Sequence, residues 1–186
     1  MRKLSVFNNV SLDGYFVDAQ GEMGWARKQD AEWQAFTAGN ARGGGAMLFG
    51  RVTYDLMAGF WPTPMAMQTM PDVATAMNKA EKIVFSRKMA KAEWNNTRVV
   101  RDDIAGQIAR LKAEPGGDMV IFGSGSIVAQ FTQAGLIDEF QIALSPIVLG
   151  AGRTMFESVT TRPELKRTEC RTFANGVVFL RYEKVR

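Results

Sequence analysis

The chain has 186 residues, a net charge of +4, one cysteine and no histidine. A single cysteine forms neither an internal disulfide nor a thiolate metal site, and the commonest metal ligand and general base are missing, which excludes most metalloenzyme and catalytic-triad chemistry. The length suits one domain over residues 1–186. No apolar run reaches the roughly 18–20 residues of a membrane span, and scattered Lys and Arg residues favour a small anionic ligand over nucleic acid, so a cytoplasmic protein is expected.

Residues 4–10 read as a first strand, followed by a turn through Ser11-Leu12-Asp13-Gly14-Tyr15 and a polar loop to Trp25. Asp30 opens a helix through about Arg42, with Trp33 and Phe36 on one face, and Gly43-Gly44-Gly45 ends it. The unalternating run 46–49 predicts a strand buried on both faces. A short helix and an irregular loop around Phe60-Trp61-Pro62 follow, then a helix from Pro71 to about Lys79. Strands are expected at 82–85 and 97–100. Asp102-Asp103 caps a helix over 103–113 that carries Ile104, Ile108 and Leu111 on one face. A strand at 119–122 leads through a Gly-Ser loop into a helix bearing Ile127, Val128 and Phe131, closed by Gly135. Strand 139–145 comes next, and the stretch 165–185 alternates around the hairpin dipeptide Asn175-Gly176. The fold class is therefore α/β: a mainly parallel central sheet flanked by helices and finished by an antiparallel hairpin.

Three apolar runs end in Phe and pass at once to small, hydroxylic or cationic residues: Phe49 into Gly50-Arg51-Val52-Thr53, Phe85 into Ser86-Arg87-Lys88, and Phe122 into Gly123-Ser124-Gly125-Ser126. In open α/β sheets ligands sit outside the carboxyl ends of the strands, where helix N-termini face outward. This composition suits an extended, multiply phosphorylated cofactor. Thr53 and Arg51 offer a hydroxyl and a charge to one phosphate. Ser86, Arg87 and Lys88 suit the 2′-phosphate that separates NADP from NAD, and the two glycines let a diphosphate approach the backbone. Each segment also has a plain reading as a turn, a cap or a solvated charge. Cys170 reads as an ordinary strand residue.

These segments, with Ser11-Leu12-Asp13-Gly14-Tyr15 and Gly135-Leu136-Ile137-Asp138-Glu139 through Pro146-Ile147-Val148-Leu149-Gly150, occur in a recognisable order. The chain resembles the dihydrofolate reductase-like superfamily, most closely the branch containing the C-terminal reductase domain of bifunctional riboflavin biosynthesis proteins, from about residue 3 to 183. The resemblance implies an NADPH-dependent reductase in which Gly50 to Thr53 and Ser86 to Lys88 hold the cofactor's phosphates and adenosine end, and Gly123 to Ile127 wraps the diphosphate. It implies that the loop from Ser11 to Tyr15 flanks the nicotinamide, with Asp13, Trp25, Phe60 and Trp61 facing a small pterin-like, pyrimidine-like or carbonyl substrate. It also implies a homodimer. Riboflavin-pathway reductases carry Lys where this chain has Tyr15. Candidate proton donors are Asp13, Tyr15, a carboxylate from Asp30 or Glu32, and water. Asp13 has the alternative role of capping its own turn, and Trp25 and Trp61 that of packing. A nucleotide-binding module without turnover is the competing function.

Overall fold

The computed structural model describes residues 1–27, 30–41 and 45–185. Its strands are β1 (Leu4–Ser11), β2 (Tyr15–Asp18), β3 (Ala46–Gly50), β4 (Lys82–Phe85), β5 (Thr97–Val100), β6 (Met119–Phe122), β7 (Glu139–Ser145), β8 (Gly152–Thr154), β9 (Leu165–Thr172) and β10 (Val178–Lys184). Its α-helices are α1 (Ala31–Ala41), α2 (Arg51–Phe60), α3 (Pro64–Thr69), α4 (Pro71–Lys79), α5 (Ile104–Ala113) and α6 (Gly125–Gln133). The expected helix end at Arg42 and stop at Gly43-Gly44 lie outside the described residues.

Eight strands form one sheet in the order β5-β4-β3-β6-β1-β7-β10-β9. The pairs from β5 to β7 are parallel, and β10 runs antiparallel to both β7 and β9. Alternation along the strands sends side chains to two helical layers. Leu4, Val6, Leu48, Ile83 and Ile121 meet Ile108 and Leu111 of α5 and Val128 and Phe131 of α6 on one face. On the other face, Phe7, Ala143 and Phe179 meet Trp33 and Phe36 of α1, while Met47, Phe49 and Val84 meet Tyr54 of α2 and Met77 of α4. The expected mainly parallel sheet, flanking helices and antiparallel hairpin are all present.

Three elements, α3, β2 and β8, were not expected from the sequence. Thr63-Pro64 starts α3: Thr63 accepts from the Ala66 N–H and Pro64 occupies the first helical position, so the expected irregular loop is partly helical. Tyr15–Asp18, expected within a turn and loop, pairs with Gly152–Thr154 in a small second sheet. The partners are more than a hundred residues apart, a separation no local pattern announces. Among the described residues no helix is long and apolar enough to cross a membrane.

Candidate active site

Because β4, β3 and β6 are neighbours and parallel, the chain leaves Phe85, Gly50 and Phe122 along one edge of the sheet. From β3 the chain passes into α2 on one face; from β6 it passes into α6 on the opposite face. Diverging connections from adjacent strands open a crevice between their carboxyl ends, the usual ligand site of such sheets. Neither helix carries a side-chain cap at Gly50 or Ser124; in the first turn of α6 the Ile127 N–H donates to the Ser124 carbonyl at 2.8 Å, and no side chain caps the remaining N–H groups of either helix start.

The two helix starts are tied together. The Ser124 hydroxyl accepts from the Gly50 N–H at 2.9 Å and donates to the Phe122 carbonyl at 3.0 Å. The Ser124 N–H donates to the Thr53 hydroxyl at 3.0 Å. Ser124 thus works as a strut, while Thr53 keeps its own hydroxyl proton to donate elsewhere. The glycines are closely packed: a Cβ on Gly50 would lie 3.1 Å from Ile127, one on Gly123 3.1 Å from Thr53, and one on Gly125 2.5 Å from the Phe16 ring. Gly123 has φ +57°, where a side chain is strained as well. Asn8, which the sequence reading passed over, donates to the Gly123 carbonyl at 3.0 Å and fixes this loop from β1. Its signal was a polar pair, Asn8-Asn9, inside an otherwise apolar strand. Ser126 is exposed in the first turn of α6, and exposed Arg51 pairs with Asp55 at 3.0 Å.

Beyond β4 the Ser86 hydroxyl accepts from the N–H groups of Lys88 and Met89, folding a tight turn that leaves Arg87 and Lys88 exposed at the same edge. Arg101, just past β5, donates to the Met89 and Ala90 carbonyls at 3.0 and 2.8 Å and clamps this turn. The sequence reading gave Arg101 no role, since only the β4–β5 pairing brings it there.

At the end of β1 the Ser11 hydroxyl donates to Asp13 at 2.7 Å and accepts from the Tyr15 N–H. The Asp13 carboxylate also accepts from the N–H groups of Leu149 and Gly150, the latter at 2.7 Å. The Ser11 hydroxyl, followed by the Gly150 and Leu149 amides, holds the Asp13 carboxyl below its ordinary range against the opposing effect of desolvation. An ionised carboxylate held in this way is a poor acid, and Asp13 is placed to clamp the β1 turn to residues 149–150. Replacing Asp13 by Ala is expected to speed amide exchange at Leu149 and Gly150 about tenfold; unchanged exchange there would show that the clamp is inconsequential.

Asp30 accepts from the Trp33 N–H at 2.7 Å, and Glu32 pairs with Arg171 at 2.7 Å, so both candidate acids have structural partners. Met23 packs with the α5/α6 layer and Trp33 lies in the opposite one. Trp25 is half-buried, and its ring N–H donates to the Glu22 carbonyl at 3.2 Å.

Phe60 and Trp61 go elsewhere. They close α2 about 15 Å from its start, and the Trp61 carbonyl is held by Asn78, whose side-chain oxygen accepts from Trp94 beside Lys82 at the beginning of β4. The aromatic pair expected to wall the substrate thus stands at the end of α2 away from the helix start at the crevice.

Among the described residues no cluster of three or more His, Cys, Asp or Glu side chains is placed to hold a metal ion. Residues 2–179 match the family model of the RibD C-terminal domain. The chain is 31% identical to uncharacterized protein YyaP of Bacillus subtilis (strain 168) over 174 residues, covering 93% of this chain and 90% of that one. A putative riboflavin biosynthesis protein from Shewanella sp. PV-4 superposes with a TM-score of 0.76 at 21% identity, covering 99% of both chains. Dihydrofolate reductase from Enterococcus faecalis, solved with NADP(H), superposes with a TM-score of 0.66 at 13% identity, covering 98% of this chain and 96% of that one. At such identities the structural likenesses speak for the fold alone. The family match spans nearly the whole chain, which belongs to the RibD C-terminal domain family and has a dihydrofolate reductase-like fold.

Proposed function

We propose that this chain, acting as one domain in the cytoplasm, is an NADPH-dependent reductase that passes hydride to a small heterocyclic or carbonyl substrate. The observation that carries the reading is the pair of uncapped helix N-termini at the crevice between β3 and β6. Their free N–H groups and dipoles suit a diphosphate, and the close packing at Gly50 and Gly123 leaves the backbone itself to meet it. In this reading Thr53, Ser126 and Arg51 add a hydroxyl or charge to the phosphates, Ile127 packs under Gly50, and Arg87 and Lys88 take the 2′-phosphate. Family membership supports the reductase half of the proposal.

NADPH supplies the hydride when bound. The chain's own residues orient and enclose: Ser11 and Asp13 fix the turn at the end of β1, and in this reading Trp25 faces the substrate. With Asp13 ionised and Asp30 and Glu32 engaged, Tyr15, on the strand leaving that turn, serves as the proton donor in this reading.

Titration of the protein with NADPH, followed by tryptophan fluorescence, is expected to saturate, and NADPH is expected to be consumed with a suitable carbonyl or heterocycle. No saturable signal from folded protein would overturn the proposal. The engaged carboxylates favour one competing reading, cofactor binding without turnover, which predicts saturation but no NADPH oxidation with any substrate. A homodimer is also part of the proposal. Light scattering should give twice the chain mass of 20.6 kDa; a single-chain mass would remove this element.

A further inference from the structure

At the amino end of β7, on the sheet edge away from the crevice, lies a concavity of about 240 Å³ lined by Thr132, Ile137, Phe140, Arg162, Pro163 and Lys184. Three segments build it. The end of α6 turns at Gly135, with φ +66°, into Ile137 and Phe140, and these two side chains with Thr132 give a buried floor. Thr132 brings to it a buried hydroxyl with no partner in the protein. The Gln133 carboxamide oxygen accepts from the Thr160 and Thr161 N–H groups at 2.9 and 3.2 Å, which pins the segment carrying Arg162 and Pro163 as one wall. The end of β10 is the other wall: the Lys184 N–H donates to the Asp138 carbonyl at 3.1 Å and the Val185 N–H to the Glu164 carbonyl at 3.0 Å. Backbone and carboxamide bonds therefore shape the concavity, and the two cations at its mouth are not needed to hold it open.

Lys184 and Arg162 are both exposed there. The Lys184 ammonium donates to the Gly135 carbonyl at 3.3 Å, and among the described residues neither cation has a carboxylate partner. The neighbouring carboxylates are taken: Asp138 by Lys112 at 2.6 Å, Glu139 by Arg181 at 3.4 Å and Glu183 by Lys3 at 3.0 Å. Glu164 shares a segment with Arg162 but does not line the concavity. At the end of α6 the Phe131 and Thr132 carbonyls accept from the Leu136 and Gly135 N–H groups, which covers part of the negative end of the helix dipole. An apolar floor beneath two cations without carboxylate partners is complementary to an amphiphilic anion.

We propose that this concavity binds a compact aryl or branched aliphatic carboxylate, with its apolar body on Ile137 and Phe140 and its carboxylate accepting from Lys184 and Arg162. The volume falls below the roughly 300–1,000 Å³ of drug-sized sites, which limits the ligand to about one ring. The site does not rest on the reductase reading. The nine residues of α6 begin at the crevice and end here, about 13 Å further along the helix axis.

Calorimetric titration of the full chain with benzoate is expected to saturate in the millimolar range or tighter. Acetate lacks the apolar body and benzyl alcohol lacks the charge, so neither should bind measurably. Lys184→Met and Arg162→Gln should each weaken benzoate binding about tenfold while leaving NADPH affinity within about twofold. In the unaltered protein, benzoate should shift the amide resonances of Gly135, Thr161 and Arg162 and leave those of Gly50 and Ser124 in place, a readout that needs no variant to fold. No saturable benzoate signal from folded protein, equal binding of acetate, full benzoate affinity in both variants, or shifts at Gly50 and Ser124 instead would overturn the site. Benzoate binding without NADPH binding would keep this site and remove the reductase reading, and NADPH binding without benzoate binding would do the reverse.

Discussion

Changing Arg87 and Lys88 together to alanine is expected to lower NADPH affinity about fiftyfold while leaving NADH affinity within about twofold. Both side chains are exposed at the end of β4, on a turn whose shape is set by the Ser86 hydroxyl and the Arg101 guanidinium. Two charge-assisted contacts to a phosphate are worth about 1.5 kcal/mol each before screening, and solvent reduces that for exposed groups. The turn does not depend on either altered side chain, so the fold and the diphosphate contacts should survive. An NADPH-to-NADH affinity ratio that does not move would remove Arg87 and Lys88 from the site. Raising the salt concentration should weaken NADPH binding more steeply in the unaltered protein than in the double variant.

Replacing Lys82 by methionine is expected to cost about 3 kcal/mol of stability. Lys82 is fully buried at the start of β4, and its ammonium donates to the carbonyls of Met77, Asn78 and Ala80 at 2.9, 3.1 and 2.7 Å while lying 4.4 Å from the centre of the Trp94 ring. It closes the C-terminus of α4 from within the core. Methionine keeps the stem volume and recovers the desolvation of a charge, but it leaves three carbonyls without that donor at roughly 1–3 kcal/mol each, so the loss outweighs the recovery. Burial pushes the ammonium down to about 8 from an ordinary 10.5, although the three carbonyls and the indole favour the charged form. Between those values the unfolded chain holds a proton that the folded chain has released, so stability rises with pH across that window. Urea denaturation at several pH values should show this rise in the unaltered protein and its absence in Lys82→Met. Equal stability of the two proteins at neutral pH would contradict the capping role.

The strand and helix order was legible because its signals are local. The run Ala46 to Phe49 lacks alternation because both of its faces are covered, Asp103 caps α5 by accepting from the Gly106 N–H, and Gly135 ends α6 with φ +66°. The crevice was legible for a related reason, since glycines and hydroxyls directly after apolar runs mark strand ends. Registers and directions across the sheet were not. Lys82, expected simply to begin a strand, caps a helix through side-chain contacts that the sequence does not spell out. Phe60 and Trp61 sit close in sequence to Thr53, yet α2 carries them away from the crevice between β3 and β6.

The starts of α2 and α6 are expected to grip one dinucleotide diphosphate jointly. A crystal structure of the protein with NADPH tests it most directly. The diphosphate is expected within hydrogen-bonding distance of first-turn N–H groups from both helices, with the adenosine end toward Arg87 and Lys88. NADPH bound at another edge of the sheet, or held by only one of the two helices, would contradict it.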